Sequence, residues 1–234
     1  MRPQEWGTVV GVWAHPDDEA YLAGGLMATA RAAGFRVVCV TATGGERGTP
    51  DPQRWPPDRL AAVRAAELAR SLEILGVDEH HGLGLPDGGC ADLDPAGPVA
   101  RIAEIIDEVA PDTVLTFGPD GVTGHPDHRT VSAWTGAAFA RAARPGTRLL
   151  HAAITAEHVR RWAWLHERFG VYDDGYPVVA PDERIALHLA LDDAVAARKV
   201  AALRAQASQT DGLVAALGVT TYTEWVRREC FVAG

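Results

Sequence analysis

Thr8-Val9-Val10-Gly11-Val12-Trp13-Ala14 is an almost unbroken run of small, β-branched and apolar residues. A strand with one face in water alternates apolar and polar side chains. A run that does not alternate predicts burial on both faces, which is the situation inside a parallel sheet. The pattern returns in Arg36–Thr41 (R-V-V-C-V-T) and in Thr113–Phe117. Helical patterns separate these runs. One covers Asp18–Ala33 and closes at Gly34. A second covers Asp58–Leu75, with Leu60, Val63, Leu68, Leu72 and Leu75 on or near one face, and ends at Gly76. His80–Leu85 predicts a short strand running into the turn Pro86-Asp87-Gly88-Gly89. Val99–Ala110 reads as a helix stopped by Pro111, and Pro126–Ala143 as another. Leu149–Thr155 and Ile185–Leu191 read as later strands; Ala156–Phe169 and Asp192–Ala207 read as helices. Strand and helix alternate throughout. The expected fold is therefore α/β, a mostly parallel sheet with helices on both faces. No repeat or linker divides the chain, so residues 1–234 read as a single domain. Gly170–Pro181 is the most irregular stretch and is expected to be a substrate-side insertion.

Length and composition exclude several classes. The 234 residues, 47% hydrophobic, can build one sizeable core but not two full domains. The balance of 22 basic against 31 acidic residues leaves a net charge of −9. That disfavours nucleic acid as a partner, because a basic field is needed to replace its counterions. Cys39, Cys90 and Cys230 form no C-x-x-C pair, which excludes a thiolate zinc ribbon and fits a reducing cytoplasm. Met1–Gly7 holds no apolar run of the kind a signal peptide needs. No apolar stretch nears the ~20 residues that span a bilayer. A cytoplasmic protein with no membrane partner is expected; a homo-oligomer is allowed.

In open α/β sheets, ligands bind beyond the carboxyl ends of the strands. His15 stands there, directly after the first strand. Pro16 suits a first helical position, which would put Asp17 and Asp18 in the first turn, where the helix dipole favours carboxylates. His15 and Asp18 are three apart and can share one cation, while Asp17 points elsewhere. The same device follows Thr113–Phe117 as His125-Pro126-Asp127-His128, again with two potential ligands three apart. If the two strands are neighbours, the two elements meet. Catalytic zinc takes three such ligands and keeps one position open. His15, Asp18, His125 and His128 exceed that need by one, and the spare is a natural acid–base group. The pattern does not say which it is.

Plainer explanations compete. Asp17, Asp18 and Asp127 could be helix caps, and Pro16 and Pro126 helix starters. That suffices for one element; two, each with a histidine at a strand end, favour a metal. Adjacent His80 and His81 would point to opposite sides of a strand and read as packing or surface residues. His151, His158, His166 and His188 are isolated and read as structural. Arg64 and Glu67, three apart, suggest an intrahelical ion pair of about 0.3 kcal/mol. Thr43-Gly44-Gly45-Glu46-Arg47-Gly48 lacks the spacing of a phosphate-binding loop. Trp162 and Trp164 fit a core, a lid or a subunit contact equally.

These residues resemble the PIG-L (LmbE-like) zinc-dependent deacetylases. The likeness rests on Ala14-His15-Pro16-Asp17-Asp18-Glu19 and Gly124-His125-Pro126-Asp127-His128. Thr43–Glu46, Arg64-Ala65-Ala66-Glu67, Leu75-Gly76-Val77, Leu85-Pro86-Asp87-Gly88 and Lys199–Gln209 with its S-Q support it. The resemblance implies a Rossmann-like fold and Zn2+, with another divalent transition metal as the alternative. It implies His15, Asp18 and His128 as metal ligands and Asp17 as general base. His125 would be a protonated imidazole facing the oxyanion and protonating the leaving amine. Arg64 and Asp87 match sugar-contacting positions. Glu46 would support the site, and Asp127 would orient His125. Glu19 is left as structural.

Two departures stand out. Thr123 occupies a position where some members carry a tyrosine, and Gln206 one where many carry a histidine. Both are expected to affect substrate and rate more than the metal. The implied reaction releases acetate from the N-acetylglucosamine part of a small conjugate, the partner being a small acetylated amino sugar. An Ala- and Arg-rich composition suggests a high-GC bacterium and a thiol-cofactor or secondary-metabolite precursor. A non-sugar amide is the alternative. A Rossmann-type nucleotide-binding protein would carry glycines where His15-Pro16-Asp17-Asp18 stands, and a magnesium phosphohydrolase would prefer oxygen ligands. An inactive metal-binding regulator is a further alternative.

Overall fold

The computed structural model describes residues 6–234. Most of Met1–Gly7, and with it the expectation that no signal peptide is present, lies outside the described residues. The order of elements is β1 (Val9–Trp13), α1 (Asp18–Ala32), β2 (Val37–Thr43), α2 (Pro57–Leu75), β3 (Glu79–Leu85), α3 (Ala96–Val109), β4 (Thr113–Phe117) and α4 (Pro126–Ala142). Then follow β5 (Arg148–Ala152), α5 (Ala156–Phe169), β6 (Ile185–Ala190), α6 (Asp193–Ala205), α7 (Ala207–Leu217), α8 (Val219–Val226) and β7 (Arg228–Ala233).

The seven strands form one sheet in the order β3-β2-β1-β4-β5-β7-β6. The first five run parallel; β7 is antiparallel to both β5 and β6. Every residue of β1, β2 and β4 is buried, as their unbroken apolar runs require. Edge strand β3 alternates between half-buried and exposed instead. Helices α1, α2 and α6 pack together on one side; α3 and α4 pair with each other on the other. No helix among the described residues is long and apolar enough to cross a membrane.

Helix ends follow local chemistry. Gly76 closes α2 in the left-handed region (φ 80°), where a Cβ would be strained. Pro126 occupies the first position of α4, which has no intrahelical use for an N–H.

Three elements depart from expectation. The C-terminal helix stops at Ala205, and α7 begins after Gln206, so Ser208-Gln209 opens a new helix. With α5, α6 and α8, α7 builds a second, smaller core around Trp162, Leu165, Leu203, Tyr222 and Trp225. Trp162 belongs to that core, whereas Trp164 is exposed. The last seven residues form β7 and the chain end, where an antiparallel strand completes the sheet.

A fully buried ion pair ties this C-terminal part to α1. Lys199 Nζ donates to Glu229 Oε1 (2.7 Å) and to the Tyr21 carbonyl (2.7 Å). Glu229 also accepts from the N–H groups of Gly25 (2.6 Å) and Leu26 (2.8 Å). Burial lowers the Lys199 pKa, and Glu229 opposes that shift. Removing one member of such a pair leaves a charge without a partner. Lys199→Met is therefore expected to lower stability by about 3–5 kcal/mol. Urea unfolding checks this, and a loss below about 1 kcal/mol would contradict it.

Candidate active site

The sheet order changes direction between β1 and β4, so the chain leaves these neighbours towards opposite sides. A crevice opens beyond their carboxyl ends. His15 follows β1 and His125–His128 follows β4, and the two His-Pro-Asp elements meet there. His15 Nδ1 lies 3.1 Å from His128 Nε2. Asp18 Oδ2 lies 3.6 Å from His15 Nδ1, and Asp18 Oδ1 3.4 Å from His128 Nε2.

The outer nitrogen of each of these histidines is tied to oxygen. His15 Nε2 faces Asp87 Oδ1 (3.1 Å) and Asp127 Oδ2 (3.3 Å). His128 Nδ1 faces the Gly121 carbonyl (3.0 Å) and Thr123 Oγ1 (3.1 Å). A carbonyl or carboxylate can only accept, so the outer nitrogens carry hydrogen and the inner ones present lone pairs to one point. Metal-bound histidines are oriented in this way. A tetrahedral site with bonds of about 2.0–2.1 Å has edges of about 3.3–3.4 Å, close to the spacings of these donors. The set therefore fits a divalent cation. His15, His125 and His128 also offer nitrogens within 4.8 Å of one another, as do donors of His15, Asp87 and Asp127. His15 stands in every grouping. Burial opposes charge on it, but the carboxylates of Asp127, Asp18 and Asp87 hold its pKa well above the usual value. Surroundings of that sign favour a cation.

The two halves are not built alike. Pro126 begins α4, with His125 as its N-cap. Pro16 does not begin α1: Asp17 is the N-cap, at φ 108°, and the helix starts at Asp18. Nor do the aspartates cap their helices. Asp17 makes no capping bond, Asp18 accepts from the His15 N–H (2.8 Å), and Asp127 accepts from Gly88 (2.7 Å) and Cys90 (3.1 Å). Positive φ is sparsely populated by aspartate and costs on the order of 1–3 kcal/mol. The turn is held from below, where Asp17 N–H donates to Glu19 Oε2 (2.9 Å) and Gln206 Nε2 to Glu19 Oε1 (2.7 Å). Gln206 thus reaches the site only through Glu19. Burial, then the nearby charge of Asp17, pushes the Glu19 carboxyl up to about 8.

Arg64 holds the turn from the side. Its Nη2 donates to the Pro16 carbonyl and to Asp17 Oδ2 (3.1 Å), and its Nη1 to the Gly45 carbonyl (2.8 Å). A Cβ at Gly45 or Gly48 would collide with this guanidinium, so the Gly-rich loop makes room for an arginine. The expected Arg64–Glu67 ion pair does not form. Glu67 instead accepts from Ser208 Oγ (2.6 Å) and Ser208 N–H (2.8 Å) at the start of α7. Asp87 and the loop exchange bonds: Asp87 N–H donates to Glu46 Oε1 (2.9 Å), and Arg47 N–H to Asp87 Oδ2 (2.7 Å). Burial opposes it, but the bonds from His15 and Arg47 bring the Asp87 carboxyl down to about 2.

Adjacent Asp17 and Asp18 are driven apart. Burial raises the Asp17 pKa well above the usual carboxylate range, against the pull of Arg64. Burial acts on Asp18 too, but His128 and His15 hold it well below that range. His125 meets Asp127 through the backbone. Its Nδ1 accepts from the Asp127 N–H (3.1 Å), which leaves Nε2 as the ring's other hydrogen-bonding position. Asp127 orients His125 through its backbone; its carboxylate serves His15.

Residues 10–139 match the PIG-L family, described as GlcNAc-PI de-N-acetylase. The chain belongs to this family. It is 39% identical to a 1D-myo-inositol 2-acetamido-2-deoxy-alpha-D-glucopyranoside deacetylase of Kineococcus radiotolerans, over 60% of this chain and 46% of that one. The chain thus spans about half the length of that relative. An enzyme of the same name from Acidothermus cellulolyticus is 38% identical over 85% of this chain and 78% of its own. The N,N'-diacetylchitobiose deacetylase of Pyrococcus horikoshii shares the fold at a TM-score of 0.67 and 21% identity, over 99% of this chain and 85% of that one.

Sequence reasoning missed one part of the site. A cavity of about 300 Å³ adjoins Asp17, Asp18 and His128, and its lining includes Tyr21, His158, Tyr172 and Trp225. His158 is not isolated: it stacks on His166 (5.5 Å between centroids), which in turn meets Tyr172 and Trp225. Trp225 comes from α8, an element that sequence reasoning did not anticipate.

A lysine in place of Arg64 cannot reach Pro16, Asp17 and Gly45 together. Arg64→Lys is expected to cost about 1–3 kcal/mol and to speed amide exchange at Ala20 and Tyr21, whose N–H groups donate to the Asp17 carbonyl. Unfolding and hydrogen-exchange measurements check this.

Proposed function

We infer that the protein is a zinc-dependent amide hydrolase that releases acetate from the N-acetylglucosamine part of a small conjugate. One observation carries the reading: three donors converge at 3.1–3.6 Å, and Asp17 lines the same cavity as Asp18 and His128. His15, Asp18 and His128 would hold the metal. Asp87 and Asp127 keep His15 Nδ1 turned inward, and Gly121 and Thr123 do the same for His128 Nε2. A zinc ion held there would supply Lewis-acid activation of the amide carbonyl and of the attacking water.

The chain's own residues do the rest. Asp17, raised by burial and held by Arg64, takes a proton from the attacking water. The water oxygen bonds to the carbonyl carbon, the C–N bond breaks, and the nitrogen leaves as an amine carrying that proton. A base whose pKa lies near working pH can both accept and return it. His125, with Nδ1 occupied by the Asp127 N–H, turns Nε2–H outward as a donor to the developing oxyanion. The turn around Asp87 and the Glu46–Arg47 edge offer hydrogen-bonding groups for sugar hydroxyls. Arg64, whose Nη1 donates to Gly45 and whose Nη2 donates to Pro16 and Asp17, acts as a positioning residue. Residues 170–181 lie on the opposite side of the crevice, where Asp173 N–H donates to the Thr123 carbonyl (2.9 Å) and Val171 and Tyr172 line the cavity. This supports a substrate-side role for the segment.

Acetate release from a panel of N-acetylglucosamine conjugates, with and without zinc, tests the reading; activity on none would overturn it. Asp17→Asn is expected to keep its metal while turnover falls by about 10²–10⁴. Elemental analysis and kinetics on the same sample decide this, and undiminished turnover removes Asp17 from the mechanism. His15→Ala is expected to lose the metal, and unchanged metal content would sink the ligand assignment.

A further inference from the structure

Tyr21 lines the same cavity as Asp17, Asp18 and His128. It stands on α1, about one helical turn beyond the two aspartates. Its N–H donates to the Asp17 carbonyl (2.9 Å), and its own carbonyl accepts from Lys199 (2.7 Å). Trp225 meets the ring edge-to-face at 5.7 Å between centroids. The Tyr21 hydroxyl lies 2.8 Å from that of Tyr222, which comes from α8 and is fully buried.

Burial decides the direction of this bond. A phenol has one hydrogen to give and lone pairs to accept with. If Tyr21 donated, the Tyr222 hydrogen would need a different acceptor, and none bonds to it among the described residues. A buried donor left without an acceptor is the costly arrangement. Tyr222 therefore donates to Tyr21, and the Tyr21 hydrogen is left for a partner in the chamber. Accepting one hydrogen bond also makes a hydroxyl a stronger donor. Burial raises the Tyr21 pKa well above its usual value, so the group is a neutral phenol.

The reaction fixes what this donor meets. Asp17 must reach both the attacking water and the leaving nitrogen, and the sugar carries that nitrogen. The carbons on either side of the nitrogen-bearing carbon therefore lie near Asp17. Tyr21 is close to the same place, since the Asp17 charge acts on both phenols. We propose that Tyr21 is a substrate-binding residue whose hydroxyl donates to an oxygen flanking the amide, on C1 or C3 of the amino sugar. Tyr222 is the positioning residue behind it. This rests on the amide-hydrolase reading above. The contact is the same before and during the reaction, so it sets affinity rather than turnover. No bond is made or broken at either phenol.

Tyr21→Phe removes the hydroxyl and keeps the ring. With N-acetylglucosamine and the zinc-loaded protein, it is expected to raise KM about five- to tenfold and to change kcat by less than about twofold. Tyr222→Phe is expected to raise KM less. The double variant should match Tyr21→Phe alone, because Tyr222 acts only through Tyr21. The 3-deoxy and 1,5-anhydro forms of N-acetylglucosamine identify the oxygen: Tyr21→Phe should leave KM unchanged for the sugar that lacks the partner. Calorimetry in an Asp17→Asn background gives a readout without turnover, where Tyr21→Phe should weaken N-acetylglucosamine binding by a similar factor. A fall in kcat at unchanged KM would overturn the proposal by placing the phenol on the reacting carbonyl. An equal loss on both altered sugars would overturn it too. Release of no amine by the unaltered protein would overturn the amide-hydrolase reading; unchanged binding in the calorimetry would overturn the Tyr21 assignment whether or not that reading stands.

Discussion

The site depends on one pairing, the parallel contact of β1 with β4, in which Val9, Val10 and Gly11 oppose Thr113, Val114 and Leu115. Parallel neighbours end at the same edge of a sheet, so the segments that follow them share one crevice. The switch in strand order at this pair sends α1 and α4 to opposite faces and leaves their N-termini facing the same space. Side-chain bonds pin the strands in this position: Thr116 Oγ1 donates to the Val12 carbonyl (2.9 Å), and Thr43 Oγ1 to the Ala14 carbonyl (3.1 Å). Sliding either strand by one residue would turn its buried side chains to the other face and part the two His-Pro-Asp elements.

Gathering so many charges in one buried place is costly unless each is matched. Asp127 accepts from two backbone N–H groups, Asp87 from one and from His15, and Asp18 from the His15 backbone. Asp17 has only Arg64 and sits at a positive φ. Among the four aspartates it is the least compensated, and its pKa rises where those of Asp18, Asp87 and Asp127 fall. The two neighbouring aspartates are therefore driven to opposite sides of the usual carboxylate range. On the proposed reading, Asp18 would serve as an anionic ligand and Asp17 would gain and lose the proton. The second structural core serves this division through Gln206, Glu19 and the Asp17 N–H.

Much of this was legible in the amino-acid order because burial on both faces leaves a direct trace. The runs that became β1, β2 and β4 could hardly be anything else, and the paired motifs follow from where those strands end. What escaped depended on contacts distant in the chain. Pro16 reads as a helix starter until Arg64 and Glu19 hold the next residue at positive φ. Arg64 and Glu67 read as an ion pair until Asp17 draws one away and Ser208 the other. Helix α7 follows α6 with no proline or glycine between them, and only the bend at Gln206 separates the two. Strand β7 opens with Arg228-Glu229, charges that make sense only once Lys199 is seen beneath Glu229.

The two sides of the crevice come from different stretches of chain. Every group assigned to the donor triangle, the base and the polar turn lies within residues 10–139, the segment that matches the PIG-L family. Most of the cavity wall, including Ile154, Val171, Leu213 and Trp225, lies beyond it. A hydrolytic centre tolerates little variation, because three donors must converge within a few tenths of an ångström. A wall that only excludes water and matches a shape can change one side chain at a time at modest cost. The converging donors and most of the cavity wall thus come from separable stretches of this fold.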